Sequence, residues 1–276
     1  MSAVAEVPNA GEALREKLRR LKLPAFAAHY AELARLAEKD GLTYERYLLM
    51  LVEQEETERR GRRMARLLKE SKLPPDKTLE SFDFGRVPSL PRPLVRTLSE
   101  GGFLDKTENV LVFGNPGTGK SHLLCGIAHE LVKRGRSVLF TPAFELVQNL
   151  VRAKRDLRLS AELRKLDRFE AVLLDDLGYV QHERAEMEAL FTFLSERYER
   201  RSVLVTSNFV FSKWDQIFKD SIVTAAAVDR VVHHSRIVEL DVESYRAHEA
   251  HERLKKRRGR AGPEECPPAG PKEAAP

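Results

Sequence analysis

Val110-Leu111-Val112-Phe113-Gly114-Asn115-Pro116-Gly117-Thr118-Gly119-Lys120-Ser121-His122-Leu123-Leu124 is the stretch whose reading decides the fold of this 276-residue chain. Four apolar residues suited to a strand lead into a glycine-rich turn, and an apolar helical pattern follows. Gly114 to Ser121 fits G-x-x-x-x-G-K-[ST] at every fixed position. Glycines let the backbone wrap a polyphosphate so that several N–H groups point inward at the anion. The N-terminus of the following helix adds its partial positive charge. In this motif Lys120 reaches the β- and γ-phosphates and Ser121 ligates Mg²⁺. The candidate nucleotide-binding residues are therefore Gly114, Asn115, Pro116, Gly117, Thr118, Gly119, Lys120, Ser121 and His122, and the expected cofactors are ATP and Mg²⁺.

Downstream, strands and helices alternate. Short apolar runs at 110–113, 137–140, 171–174, 202–205 and 237–240 read as strands. Helical patterns fill 120–134, the stretch from Phe144 through VRAKRDLRLSAELRKL, and 185–199. The third run, Ala171-Val172-Leu173-Leu174, is wholly apolar, as expected of a strand covered on both faces. The pattern predicts an α/β P-loop core of three layers with a mostly parallel five-stranded sheet.

Upstream, Leu14, Leu18, Leu21, Phe26, Tyr30, Leu33 and Leu36 recur at three- and four-residue steps, with Pro24 interrupting and Asp40-Gly41 closing the run. Thr43 can cap a second helix with Tyr44, Tyr47, Leu48, Leu51 and Val52 on one face. It continues into EQEETERRGRRMARLLKESK, acid before base, a block that reads as a solvated helix face. The expected organisation is an all-helical unit at 1–72, a connector at 73–100, the ATPase core at 101–258 and a Pro/Gly/Ala/Glu-rich disordered tail at 259–276. The first unit has too little core to be robust alone, so its apolar faces serve its own packing or dock a partner. In the connector, Phe82 and Phe84 flank Asp83, placed either beside an adenine or in the core.

A net charge of +5 favours an anionic partner, with nucleic acid the leading candidate. Two cysteines, Cys125 and Cys266, without zinc spacing point to a reducing compartment. The N-terminal residues hold no apolar signal region and no apolar run approaches membrane-spanning length, so the expected location is cytoplasmic, with no membrane partner.

Leu173-Leu174-Asp175-Asp176-Leu177-Gly178 places two acids at the end of a buried strand. Asp175 is the candidate Mg²⁺ carboxylate and Asp176 the candidate base for an attacking water; the alternative is that the pair caps the next helix. Val205-Thr206-Ser207-Asn208 ends the next strand, and Asn208 is the candidate that positions water or meets the γ-phosphate. Within TAAAVDRVVHHSRIVEL, Arg230, with Arg236 second, is the candidate arginine contributed to a neighbouring subunit's site; the alternative is a surface ion pair. His233-His234 and His248/His251 offer no third ligand in the sequence, so a surface or structural role is expected.

The order of GNPGTGKSHL, LLDDLG, VTSN and DRVVHHS resembles the AAA+ ATPases. Together with LKLPAFAAHYAEL and TLESFDF, it is similar to the IstB-like insertion-sequence helper ATPases, relatives of the DnaC-type helicase loaders, over about residues 14–254. The N-terminal part separates the two branches. The resemblance implies a nucleotide-dependent homo-oligomer on duplex DNA that helps a cognate transposase engage its target, built on an AAA+ core without a full lid. Asp176 stands where many AAA+ members have glutamate, while DnaA- and DnaC-like relatives share the aspartate pair. In initiator-type members a helical insertion between the second and third strands lines the oligomer's inner surface. Here that region carries Arg152, Lys154, Arg155, Arg158, Arg164 and Lys165, which would give salt-sensitive backbone contacts or simply a solvated face. The run Arg253, Lys255, Lys256, Arg257, Arg258 and Arg260 adds phosphate contacts or keeps the tail soluble. Two other readings stand beside the transposition ATPase: a DnaC-type replicative helicase loader on single-stranded DNA, and an ATP-binding assembly factor that scarcely hydrolyses.

Overall fold

A computed structural model describes residues 10–178, 184–210, 213–214, 221–242 and 244–245. The basic run from Arg253, the expected tail, Cys266, His248 and His251 lie outside the described residues. Five parallel strands, β1 (Asn109–Gly114), β2 (Val138–Pro142), β3 (Ala171–Leu177), β4 (Ser202–Ser207) and β5 (Ser235–Leu240), form one sheet in the order β2-β3-β4-β1-β5. The helices in chain order are α1 (Ala10–Arg20), α2 (Pro24–Lys39), α3 (Tyr44–Ser71), α4 (Arg92–Glu100), α5 (Gly102–Asp105), α6 (Lys120–Lys133), α7 (Ala143–Arg155), α8 (Leu159–Leu166), α9 (Arg184–Arg197) and α10 (Ser221–Val232).

Side-chain alternation along β1 makes the three layers. Val110 and Val112 face a core filled by α6 and the connector, while Leu111 and Phe113 face a second core filled by α7, α9 and α10. After β1 the chain crosses to β2 at the far edge, and only with β4 does it return beside β1. That reversal opens a crevice at the carboxyl ends of β1 and β4, where an open α/β sheet holds its ligand.

Residues 73–100 are welded to the core. Leu73, Phe82, Val87, Leu90, Val95 and Leu98 are buried in the same cluster as Val110 and Leu123. A side chain at Gly126 on α6 would meet Leu79 at 2.8 Å, so only glycine allows the connector this close. Two α6 histidines fasten it further: His129 Nε2 lies 2.9 Å from the Pro74 carbonyl and His122 Nε2 lies 3.0 Å from that of Thr78.

Two details depart from the sequence pattern. The acid-rich half of α3 is not wholly solvated. Glu55 is buried, accepts the Ala25 N–H at 2.8 Å and thereby caps α2, whose own N-cap residue is Leu23 with no side-chain cap. Burial pushes the Glu55 carboxyl up, but the Arg59 guanidinium at 2.7 Å and the α2 amides outweigh it and leave the pKa lowered. The helical stretch after β2 also breaks in two. Leu157 adopts φ +55°, its N–H donates to the Lys154 carbonyl at 3.2 Å, and the Arg158 N–H donates to that of Ala153 at 2.7 Å. This is a Schellman stop with leucine where glycine usually sits, so the sequence carries no visible stop signal there.

Arg197 holds the amino-terminal end of the sheet. Its buried guanidinium donates to the carbonyls of Leu166, Phe169, Glu170 and Ser202 at 2.9–3.3 Å. Burial pulls its pKa down to about 9, still well above neutrality, so the cation persists and binds three segments together.

Candidate functional site

The loop between β1 and α6 needs glycine at two points. Gly114 has φ +151°, and a Cβ there would lie 2.4 Å from the Leu240 carbonyl on β5. Gly119 has φ +93° and sits over Phe82, whose ring a Cβ would meet at 3.2 Å. Phe82 is therefore a buried floor under the loop, in edge contact with Phe84 and His122, and not a wall of the nucleotide cleft. The Asn115 carbonyl accepts from Lys120 Nζ at 2.9 Å and from Thr118 Oγ1 at 3.0 Å, which holds the loop closed on itself. Lys120 is buried at the start of α6.

A cleft of about 340 Å³ opens above this loop. Pro116 to His122 line it on one side, and Asp176 and Asn208 line it on another. Gly114 and Asn115 instead line an adjoining hollow of about 260 Å³ together with Asn208 and Glu239. Three elements distant in sequence thus converge at the carboxyl ends of β1, β3 and β4.

The acids are sorted by a strand irregularity. The β3–β4 register slips by one residue between Leu174 and Leu177, so that Asp175 and Asp176 together stand opposite Thr206. Asp176 has φ +57° and turns outward to the cleft. Asp175 stays half-buried, and its Oδ1 accepts from Thr206 Oγ1 at 2.7 Å. The same hydroxyl accepts the Asp176 N–H at 2.8 Å. The next helix described, α9, begins at Arg184. Asn208 Oδ1 is buried with no hydrogen-bond partner among the described residues. A buried carbonyl oxygen without a donor carries a desolvation cost of roughly 1–3 kcal/mol, which a bound donor would relieve.

The far wall of the cleft is made of residues the motifs do not mark. Lys77, Ser81, Asp83, Arg86 and Val87 come from the connector, and Val242 and Tyr245 from the segment after β5. Tyr245 donates its backbone N–H to the Gly117 carbonyl at 2.9 Å, and the Arg86 guanidinium lies 4.4 Å from its ring centroid. No spacing pattern links these positions; the PSLPRP turn and the end of β5 were the only local signals. His122 spends its Nε2 on the connector, 2.9 Å from Ser81 Oγ, and fixes that wall in place.

Arg230 does not line this cleft. Its Nη1 donates to the Ala226 carbonyl at 2.9 Å, and the guanidinium lies 4.9 Å from the Phe191 ring centroid. Arg236 is engaged elsewhere, with its Nε 2.8 Å from Glu108. Among the six basic candidates between β2 and β3, Lys154 pairs with Glu188, Arg158 with Asp156 and Lys165 with Glu162. Arg152, Arg155 and Arg164 are exposed and have no ion pair among the described residues. The histidine pair gains a neighbour that the sequence order hid: Glu199 comes within 4.0 Å of His234 Nε2, while Tyr198 Oη lies 3.1 Å from His233 Nδ1. Among the described residues no helix is long and apolar enough to cross a membrane.

Residues 16–253 match the family model described as IstB-like ATP binding protein. A candidate insertion-sequence ATP-binding protein of Sinorhizobium fredii is 45% identical over 241 residues, covering 87% of this chain and 80% of that one. The candidate ATP-binding protein of insertion sequence IS21 from Pseudomonas aeruginosa is 38% identical, covering 84% and 88%. Among solved structures, AMPPCP-bound DnaA from Aquifex aeolicus superimposes with a TM-score of 0.52 at 22% identity, over 67% of this chain and 56% of that one. DnaI gives 0.51 at 22% identity, over 61% and 95%. These two share the fold.

Proposed function

The chain belongs to the IstB-like ATP binding protein family, and from that premise we propose an ATP-hydrolysing AAA+ regulator of transposition. It assembles as a homo-oligomer on duplex DNA and presents target DNA to its cognate transposase. The observation that carries the ATPase reading is the placement of Asp176 and Asn208 across one cleft from Lys120, with Asn208 Oδ1 lacking a donor.

In this reading the loop amides and Lys120 hold the β- and γ-phosphates. Asp176 orients and deprotonates a water, and Asn208 fixes that water or the γ-phosphate. Ser121 and Asp175 are hard oxygen donors that suit Mg²⁺, and Asp175 is aimed by its hydrogen bond from Thr206. When bound, that ion would neutralise charge on the phosphates. Arg230, turned away from its own cleft, serves a neighbour's. The exposed Arg152, Arg155 and Arg164 supply phosphate contacts to DNA.

Phosphate release, measured with and without duplex DNA against a Lys120→Ala baseline, tests the reading. DNA should raise turnover above that baseline, with an ATP-dependent increase in particle mass on the duplex. Release that never exceeds the Lys120→Ala level would leave an assembly factor and remove the catalytic part.

A further inference from the structure

Where β4 and β5 begin, two helix ends bring metal-ligating side chains together. α9 ends at Arg197, and the turn after it carries Tyr198 and Glu199, with Glu199 at φ +56°. α10 ends at Val232, and His233 and His234 follow it before β5 begins at Ser235. Within a helix, adjacent side chains are directed about 100° apart, since a turn takes 3.6 residues. Past the end of α10 that constraint lifts, and the two imidazole centroids lie 4.1 Å apart. One ligand atom from each of Glu199, His233 and His234 lies within 4.8 Å of the other two. Among the described residues no other trio of histidine, cysteine or acidic side chains comes so close.

The distances suit an ion that draws the three in. Two ligands at about 2.0–2.1 Å from a tetrahedral ion lie roughly 3.3 Å from each other. His234 Nε2 and Glu199 Oε1 are 4.0 Å apart, too far for a hydrogen bond, so they are not spent on one another. Closing on an ion takes roughly 0.7 Å there and at most about 1.5 Å elsewhere in the trio, within the rotation of exposed side chains. The backbone of the histidine pair is already fixed. The His233 N–H donates to the Asp229 carbonyl at 3.0 Å, and the His234 carbonyl accepts the Asn109 N–H at 2.7 Å. Tyr198 Oη, 3.1 Å from His233 Nδ1, restrains one ring. Two imidazoles with one carboxylate suit Zn²⁺ and not Mg²⁺, which prefers oxygen alone.

We propose that His233, His234 and Glu199 form a Zn²⁺ site that ties the end of α9 to the end of α10. None of the three lines the nucleotide cleft. Arg230 lies one turn before His233 on α10, with its guanidinium over Phe191 of α9. The ion therefore fastens together the two helices that hold this arginine.

The test is calorimetric titration of Zn²⁺ into the full chain, purified without a histidine tag and free of nucleotide. Excess Mg²⁺ occupies the hard oxygen donors Ser121 and Asp175. The wild type should bind one more Zn²⁺ than His233→Asn/His234→Asn, and Glu199→Gln should bind that ion at least tenfold more weakly. All three side chains are exposed, so the variants should melt with the wild type in EDTA. Zn²⁺ at about 100 times its Kd should raise the wild-type Tm by about 5 °C or more and leave that of His233→Asn/His234→Asn unmoved. Equal stoichiometry in these two chains, or no saturable binding by the wild type, would overturn the site. Unchanged affinity in Glu199→Gln, or an equal rise in Tm without the histidines, would also overturn it, because the tie runs through those side chains. Either failure leaves the ATPase reading as it stands.

Discussion

The Thr206 hydroxyl donates to Asp175 Oδ1 at 2.7 Å and accepts the Asp176 N–H at 2.8 Å, so one buried atom on β4 fixes both acids at the end of β3. Thr206→Val keeps the shape and removes the oxygen. It leaves the Asp176 N–H and one Asp175 lone pair unpaired, at a cost of roughly 1–3 kcal/mol. Turnover should fall about tenfold or more with nucleotide affinity nearly unchanged, and Thr206→Ser should restore most of it. Steady-state phosphate release and fluorescent-nucleotide titration separate the two effects.

Lys120 and Asp176 should fail differently. Lys120→Ala removes the cation expected at the phosphates and should abolish measurable nucleotide binding. Asp176→Asn keeps size and one acceptor oxygen but cannot take a proton, so binding should persist while kcat drops about 10²–10⁴-fold, the span for loss of a general base. Equal loss of binding in both would show that Asp176 holds the loop and is not the base.

Arg230 stacks on Phe191 of its own subunit and contributes nothing to its own cleft. Arg230→Ala should bind ATP normally yet hydrolyse it poorly. Mixing it with Lys120→Ala subunits, which lack a working cleft but carry the arginine, should restore part of the rate. Mixtures no faster than either variant would count against a site shared between subunits.

The basic candidates divide by pairing. Arg152→Ala and Arg155→Ala should each weaken duplex binding and lower the magnitude of the log K against log salt slope by about 1. Lys154→Ala and Lys165→Ala remove cations already engaged with Glu188 and Glu162, so their effect on the slope should be smaller. Binding isotherms across a salt series read this directly.

What was legible in the sequence follows from how local each signal is. Val110 to Ser121 carries strand, turn and helix start within one window, and the ends of β3 and β4 are marked by polar residues after apolar runs. The sheet order brings these three together because each lies at a carboxyl end. The wall opposite was not legible, since Arg86 and Tyr245 meet only after the connector and the segment beyond β5 fold over the same loop. Thr206 was hidden for another reason. Its side chain turns into the sheet, and the register slip that aims it exists only once β3 and β4 are paired. The stop at Leu157 was missed because composition there argues for continued helix, and backbone hydrogen bonds alone end it.

The connector that grips α6 has a mechanical consequence. At its C-terminal end α3 is rooted through Leu67 and Leu73 in the same core as the phosphate loop's helix, while Tyr44 at the other end stands 87% exposed. Twenty-eight residues of helix make a rod about 42 Å long. A tilt of about 5° at the root of such a rod carries its tip through roughly 4 Å, from the same helical rise. Any tilt at that root would be magnified, by leverage alone, into a displacement as wide as a side chain at the outer end of the N-terminal helices.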